Sequence, residues 1–146
     1  MPWLNRYADS VYCIVRLLTG LMFACHGGQK ILGFPPSERG LATSPLGLTA
    51  GWIELTCGLL VAVGLLTRLA ASIASGEMAV AYFLTSFSGT TLNHAPTILE
   101  RLLPILNKGE LPVLFCFVFL LILFYGPGRS SIDGLICARS TTKSTT

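Results

Sequence analysis

The chain has 146 residues, of which 52% are hydrophobic and only 12% are charged, whereas roughly 25% of residues are charged in ordinary soluble domains. This shortage of charge indicates that lipid, rather than water, surrounds most of the folded chain. The net charge is only +3 and the ten Lys and Arg residues are scattered along the chain. This excludes the continuous basic stripe of a nucleic-acid-binding protein.

Apolar segments recur along the chain, each near the ~20 residues that a helix needs to cross a bilayer. They lie at about residues 10–32, 46–66, 69–87 and 109–126. Because these runs are continuously apolar rather than alternating, they predict helices and not barrel strands. The sequence therefore predicts an all-α integral membrane protein, an antiparallel four-helix bundle within a single domain at 1–135. The Ser- and Thr-rich residues 136–146 are predicted to be disordered.

The first apolar segment is expected to be an uncleaved span and not a signal peptide. Arg16 interrupts it, and Met22 and Phe23 are unsuitable residues before a cleavage site. The two long loops then lie on the face where this span ends, and both termini lie on the other face. The terminal face carries slightly more Lys and Arg, which favours cytoplasmic termini in a multi-pass protein.

Polar side chains near the loop-side ends of the spans are the first candidate site. His26, Gln29 and Lys30 lie three and four residues apart, so they share one helix face. Counted at about 1.5 Å per residue, Glu54 lies at a similar depth in the second span, and Glu110 opens the fourth. His26, Glu54 and Glu110 are the candidate catalytic groups, and Gln29 and Lys30 are candidate ligands for a quinone or another polar molecule.

Each of these groups also has an ordinary structural explanation. Lys30 would equally anchor a helix end at the membrane surface, and Glu110 suits the first turn of a helix. His26 would equally be an interior histidine bonded to a carbonyl oxygen. Glu54 is the least easily explained, because a carboxylate at that depth needs a cationic partner or a proton.

A second polar layer is predicted nearer the terminal face. Arg16 in the first span and Glu77 in the third lie at matching depth, which predicts an interhelical ion pair, with Glu54 as the alternative partner of Arg16. Arg16 would otherwise extend toward the lipid headgroups. No metal site is predicted, because the five Cys and two His residues form no recognisable metal spacing.

Three stretches in order along the chain resemble the DoxX family of small four-span bacterial membrane proteins. They are RLLTGLMFACHGGQKILG, GWIELTCGLLVAVGLLTRLAA and NKGELPVLFCFVFLLILFYGPGRSSID. The family pattern falls on Arg16, Gly20, His26, Gln29, Lys30, Gly33, Glu54, Gly58, Gly64, Thr67, Arg68, Gly109, Glu110, Gly126, Gly128, Arg129 and Asp133. Glu77 lies outside this pattern. The resemblance implies a bacterial inner-membrane protein.

The resemblance also implies partners, because the family is similar to membrane subunits of thiosulfate:quinone oxidoreductases and to a component that assembles with sulfurtransferase and superoxide-detoxifying proteins. One hypothesis is therefore an accessory subunit of a larger membrane complex, with homo-oligomers also open. The second is the membrane subunit of a quinone-linked oxidoreductase of the thiosulfate:quinone type, with quinone as its cofactor. Its electrons would come from a partner or directly from the substrate. A small transporter or a membrane chaperone is a third alternative.

Overall fold

The computed structural model describes residues 2–36, 40–90, 92 and 94–136, which form helices and no strand. The helices are α1 (Pro2–Asn5), α2 (Ala8–Ile31), α3 (Pro45–Val63), α4 (Thr67–Ala81), α5 (Ile98–Leu102), α6 (Glu110–Tyr125) and α7 (132–136). A π-helical turn, Tyr82–Phe87, continues α4. Residue 136 is helical, and the rest of the predicted disordered tail, 137–146, lies outside the described residues.

The ends of α3 follow from its sequence. The Ser44 hydroxyl accepts a hydrogen bond from the Gly47 N–H at 3.1 Å, and Pro45 occupies the first helical position, where its missing N–H costs nothing. The helix ends at Gly64, whose φ of 73° suits glycine. The predicted extension of this span to residue 66 was therefore wrong, and Leu66 lies in the turn before α4.

Within the described residues, three helical segments are long and apolar enough to cross a membrane: Ala8–Ile31, Pro45–Val63 and Thr67–Phe87. The third of these includes the π-helical turn. Helix α6 is also strongly apolar, but its 16 residues make it shorter than the other three. The chain is thus a membrane protein with three clear candidate spans and a fourth, shorter apolar helix.

Helices α2 and α3 pack antiparallel with their backbones in contact. A Cβ atom added at Gly20 would lie 2.5 Å from the Ala62 nitrogen, and one added at Gly27 would lie 2.3 Å from the Leu55 nitrogen. Only glycine allows such an approach, as at the small-residue interfaces of other membrane helices. The pair therefore forms a rigid unit.

Helices α4 and α6 form the second antiparallel pair, and α4 also packs on α3. Ala71 and Ala74 on α4 are fully buried, and the Ser75 hydroxyl donates to the Cys116 carbonyl oxygen at 2.9 Å. Between α2 and α6 the contact is made by aromatic rings, with Phe23 packed edge-on against Phe119 at 4.7 Å between centroids. Large side chains hold these two helices apart.

Asp133 closes the terminal face by capping α4. Its carboxylate accepts hydrogen bonds from the N–H groups of Leu66 and Thr67, both at 2.9 Å, and from the Thr67 hydroxyl at 2.8 Å. Burial alone would raise the pKa of the Asp133 carboxyl. The hydrogen bonds from Thr67 and Leu66, with the nearby charge of Arg16, outweigh burial and hold this pKa below its usual value of 3.8.

Asp133→Asn is expected to lower the free energy of unfolding at neutral pH by about 1 kcal/mol, because the α4 cap loses its charge. Since the pKa of Asp133 is lowered in the folded state, its stabilising effect is complete above pH 3.8 and is lost as the pH falls through the folded-state pKa. Unfolding in detergent at neutral and at acid pH measures the difference, which should shrink in acid. Asp9→Asn, at an exposed pair with Arg129, is the matched control. Equal effects of the two substitutions at neutral pH would contradict the capping role.

Candidate functional site

A part-buried ion pair joins α2 to α3 near the loop side. Lys30 Nζ lies 2.7 Å from Glu54 Oε1, and the exposed fraction of the side chain is 35% for Lys30 and 4% for Glu54. The second oxygen of Glu54, Oε2, is buried and has no hydrogen-bond partner among the described residues. A deep carboxylate is costly in a membrane unless a cation compensates it. Lys30 supplies that cation and at the same time fixes the register of the two helices.

The close backbone packing of α2 and α3 brings the two charges together. Gly27 lies one turn before Lys30, and Gly51 lies one turn before Glu54. A Cβ atom added at Gly51 would lie 2.9 Å from the Lys30 Cβ, so the Lys30 stem crosses directly over this glycine. The polar pair is therefore a direct consequence of the two glycines in the interface.

A cavity of about 480 Å³ adjoins this pair at the loop-side end of the helices. Its lining combines charged, hydroxyl, aromatic and aliphatic side chains drawn from α2, α3, α4 with its π-helical turn, and the start of α6. The lining residues are Phe23, His26, Lys30, Glu54, Met78, Ala81, Thr85, Ser86, Lys108, Leu111, Pro112 and Phe115. A small apolar molecule with a polar end fits such a lining.

The cavity has a polar part and an aromatic part. Lys30, Glu54, His26 and Lys108 offer charge and hydrogen bonds, and the Phe115 ring meets the His26 ring edge-on, with centroids 6.0 Å apart. This aromatic contact packs the imidazole against the apolar part of the cavity. The arrangement can hold a flat, polar-edged ring and can exchange protons with it at His26 or Glu54.

Two residues predicted for the loop-side layer lie outside the cavity. Gln29 is half-buried beside the pair, and Glu110 is exposed as the first residue of α6; neither belongs to the lining. Glu110 is exposed at the first position of α6, so its predicted place in the loop-side polar layer stays a prediction that the cavity lining does not include. Lys108 belongs to the lining, with a left-handed φ of 58°.

Sequence reasoning missed Lys108, Thr85 and Ser86. The NKG triplet before α6 favours a turn, and residue 108 in it adopts the left-handed conformation. No comparable signal marks Thr85 and Ser86, because their place in the lining depends on the π-helical turn at the end of α4.

The predicted pairing of Arg16 with Glu77 or Glu54 was wrong. No carboxylate lies within ion-pair distance of Arg16 in the described part of the chain. Its guanidinium is 3% exposed and donates to the carbonyl oxygens of Pro127, Ser130 at 2.9 Å and Ala62 at 3.4 Å. Arg16 therefore anchors the segment after α6 against α2 and α3, and this role is structural.

Glu77 belongs to the neighbourhood of the Lys30–Glu54 pair instead. It is half-buried on α4, where the charges of Glu54 and Lys30 both act on it, and its Oε2 is buried without a hydrogen-bond partner among the described residues. Two carboxylates thus share the field of one ammonium group. The electrostatics of the site include Glu77 even though it does not line the cavity.

The apolar helices with an enclosed polar pair define this chain as an all-helical integral membrane protein. It belongs to the DoxX family, whose sequence model matches residues 11–86. It is 36% identical to an uncharacterized protein of Haemophilus influenzae over 133 residues, covering 89% of this chain and 93% of that protein. It is 33% identical to an uncharacterized membrane protein of Mycobacterium tuberculosis, covering 90% of this chain and 84% of the relative. No solved structure matches the chain significantly.

Proposed function

We propose that this protein is an accessory subunit of a larger membrane complex and that its cavity binds the head group of a quinone for a quinone-linked oxidoreductase. The observation that carries the proposal is the 480 Å³ cavity, whose lining includes both the Lys30–Glu54 pair and the rings of Phe23 and Phe115. The helices that form it cross a bilayer. Quinones are dissolved in the bilayer, so they reach such a cavity without entering water.

The residues of the cavity fit a quinone. The carbonyl oxygens of a quinone require hydrogen-bond donors, which Lys30, Lys108 and His26 offer. The quinone ring requires flat apolar contacts, which Phe23 and Phe115 offer. A quinone, when bound, would supply an acceptor for electrons and protons. Lys30 would donate to one of its carbonyl oxygens, and Glu54 holds the Lys30 ammonium group in place.

In this proposal His26, which packs against the Phe115 ring, would exchange a proton with the bound molecule at an imidazole nitrogen. The electrons come from a partner subunit in this proposal, since the sequence carries no haem, cluster or flavin signature that would deliver them. The accessory role and the quinone site are thus two parts of one assembly.

The arrangement in the membrane is part of the same proposal. Helices α2, α3, α4 and α6 form an antiparallel four-helix bundle that crosses the bacterial inner membrane, with both termini cytoplasmic. The antiparallel contacts of successive helices support the common side of the termini. The cytoplasmic side remains a prediction of the sequence, which reporter proteins fused to either terminus would check.

Binding of a short-chain benzoquinone to the purified protein in lipid nanodiscs tests the proposal. We expect Glu54→Gln and His26→Leu each to weaken binding about tenfold, equivalent to ~1.4 kcal/mol. Glu110→Gln makes the same chemical change at a carboxylate outside the cavity and should leave the affinity unchanged. Calorimetry or quenching of protein fluorescence gives the dissociation constants.

A purely structural role for the polar pair predicts a different result. The Lys30–Glu54 contact bridges α2 and α3, so Glu54→Gln would then lower stability or the yield of the complex. The quinone site is refuted if neither the unmodified protein nor any variant binds the benzoquinone. It is also refuted if Glu110→Gln and Glu54→Gln change the affinity for the benzoquinone equally. The accessory role would then rest on the structural contribution of the pair.

A further inference from the structure

Helix α6 is too short to reach the loop-side surface of the membrane. Its 16 residues span about 24 Å at ~1.5 Å per residue, whereas the hydrocarbon core of a bilayer is about 30 Å thick. Its C-terminal end is level with the start of α4, because a Cβ atom added at Gly126 would lie 3.2 Å from the Arg68 guanidinium. The shortfall therefore falls at the N-terminal end of α6.

The depth of the N-terminal end of α6 follows from its contacts with the neighbouring helix α4. Gly109 is level with Tyr82, since a Cβ atom at Gly109 would lie 2.5 Å from the Tyr82 ring. The π-helical turn then continues from Tyr82 to Phe87, so the third span runs farther toward the loop side than α6 does. The residues that precede Gly109 and pack beside this turn must therefore lie at the depth of the loop-side leaflet.

Residues 98–106, here called the 98–106 segment, occupy that position. Helix α5 packs against the π-helical turn, and the Tyr82 hydroxyl donates to the Arg101 carbonyl oxygen at 3.3 Å. The segment carries large apolar side chains that are between 41% and 79% exposed. They are Ile98, Leu99, Leu102, Leu103, Ile105 and Leu106. In water, so many exposed apolar side chains in such a short segment would be unfavourable.

The conformation of this segment is fixed by polar contacts at both ends. Thr97 and Glu100 form a reciprocal capping box at the start of α5. At the other end Asn107 is fully buried; its amide donates to the Arg101 carbonyl oxygen at 3.1 Å, and its oxygen accepts from the Gly109 N–H at 2.9 Å. Backbone groups at Arg101, Leu103 and Gly109 thus find partners within the protein, which favours a non-helical segment at membrane depth.

We propose that the 98–106 segment inserts into the loop-side leaflet, with its exposed apolar side chains at the boundary between the acyl chains and the headgroups. Its partner is the lipid leaflet itself. The segment completes the crossing that α6 leaves short. Lys108 and Leu111, which follow directly, line the cavity, so the cavity mouth lies at headgroup level and is reached by amphipathic molecules dissolved in the membrane.

Tryptophan placed in the segment tests the insertion. In a background with Trp3 and Trp52 replaced by Phe, Leu99→Trp and Leu102→Trp are reconstituted separately into vesicles of phosphatidylcholine with brominated acyl chains. We expect blue-shifted emission and strong quenching by the brominated lipid for both variants, and weak quenching by iodide from the water. Two positions keep the test informative if one variant fails to fold.

Matched controls fix the scale. Trp52 restored alone, exposed on the spanning helix α3, gives the response of a lipid-facing site. Thr90→Trp, at an exposed position beyond the π-helical turn, gives the response of a loop. The proposal is overturned if the Leu99→Trp and Leu102→Trp variants behave as the Thr90→Trp variant does. It is also overturned if their blue shift is insensitive to brominated lipid and depends on the protein-to-lipid ratio, which would indicate contact between protein copies.

Discussion

Lys30→Met is expected to lower the free energy of unfolding by about 3 kcal/mol, because it leaves the buried Glu54 carboxylate without its cation. Glu54 is 4% exposed and Lys30 is its ion-pair partner at 2.7 Å. The Lys30 side chain is 35% exposed, so water compensates part of the loss, and the expected value lies at the low end of the ~3–5 kcal/mol range for broken buried pairs. Equilibrium unfolding by a denaturing detergent in mixed micelles gives the measurement.

The double variant Lys30→Met/Glu54→Gln provides the decisive comparison. Removing both charges leaves neither ion of the pair uncompensated, while the nearby Glu77 carboxylate still loses the Lys30 charge, so part of the lost stability should return. Lys108→Met is the matched control, since Lys108 also lines the cavity but is exposed and forms no ion pair within the described residues; it should change stability by at most ~0.5 kcal/mol. A double variant less stable than Lys30→Met alone would exclude a compensated pair.

Counting residues along the helices predicted a contact correctly where the packing of the helices also brought the two side chains together. Lys30 and Glu54 lie at similar depth, and the glycine-lined contact of α2 with α3 also turns them toward each other. Arg16 and Glu77 were predicted at matching depth, but Arg16 lies beside Gly64 at the terminal side, where it donates to carbonyl groups after α6. Glu77 lies farther toward the loop side, where the charges of Glu54 and Lys30 act on it. Residue counting failed for this pair because the helices do not begin at the same level, which depends on tertiary packing.

The helices themselves were more accessible from sequence than their ends and connections. Long apolar runs predict helices because lipid leaves backbone groups no other partners, and Pro45 and Gly64 mark the ends of α3 chemically. No comparable residue signals the short length of α6 or the π-helical turn. They decide which residues line the cavity, which is why sequence reasoning missed Lys108.

The glycines of the α2–α3 interface connect the fold to the candidate site. Gly20 and Gly58 set the spacing of the two helices toward the terminal side, and Gly27 and Gly51 set it beside the polar pair. Lys30 and Glu54 lie one turn from this second contact. A change that separates the helices there would stretch the ion pair, so the close packing and the electrostatics of the site are coupled.

Gly27→Ala is therefore expected to destabilise the protein strongly. Its new Cβ would lie 2.3 Å from the Leu55 nitrogen and 2.5 Å from the Gly51 oxygen, and both atoms belong to backbone that cannot rotate away. We expect a loss of about 3 kcal/mol, the upper end of the usual cost of overpacking. Because the helices must separate next to Lys30, the benzoquinone should also bind more weakly.

Gly76→Ala gives the matched control, because nothing lies within 4 Å of the Cβ that it adds in the middle of α4. Alanine is the better helix former, so this variant should be unchanged or more stable by up to ~1 kcal/mol. Both variants are compared by the same unfolding titration and by benzoquinone binding. If Gly27→Ala unfolds at the same detergent concentration as Gly76→Ala, the two helix backbones do not touch as described, and the Lys30–Glu54 pair must be held together by other contacts.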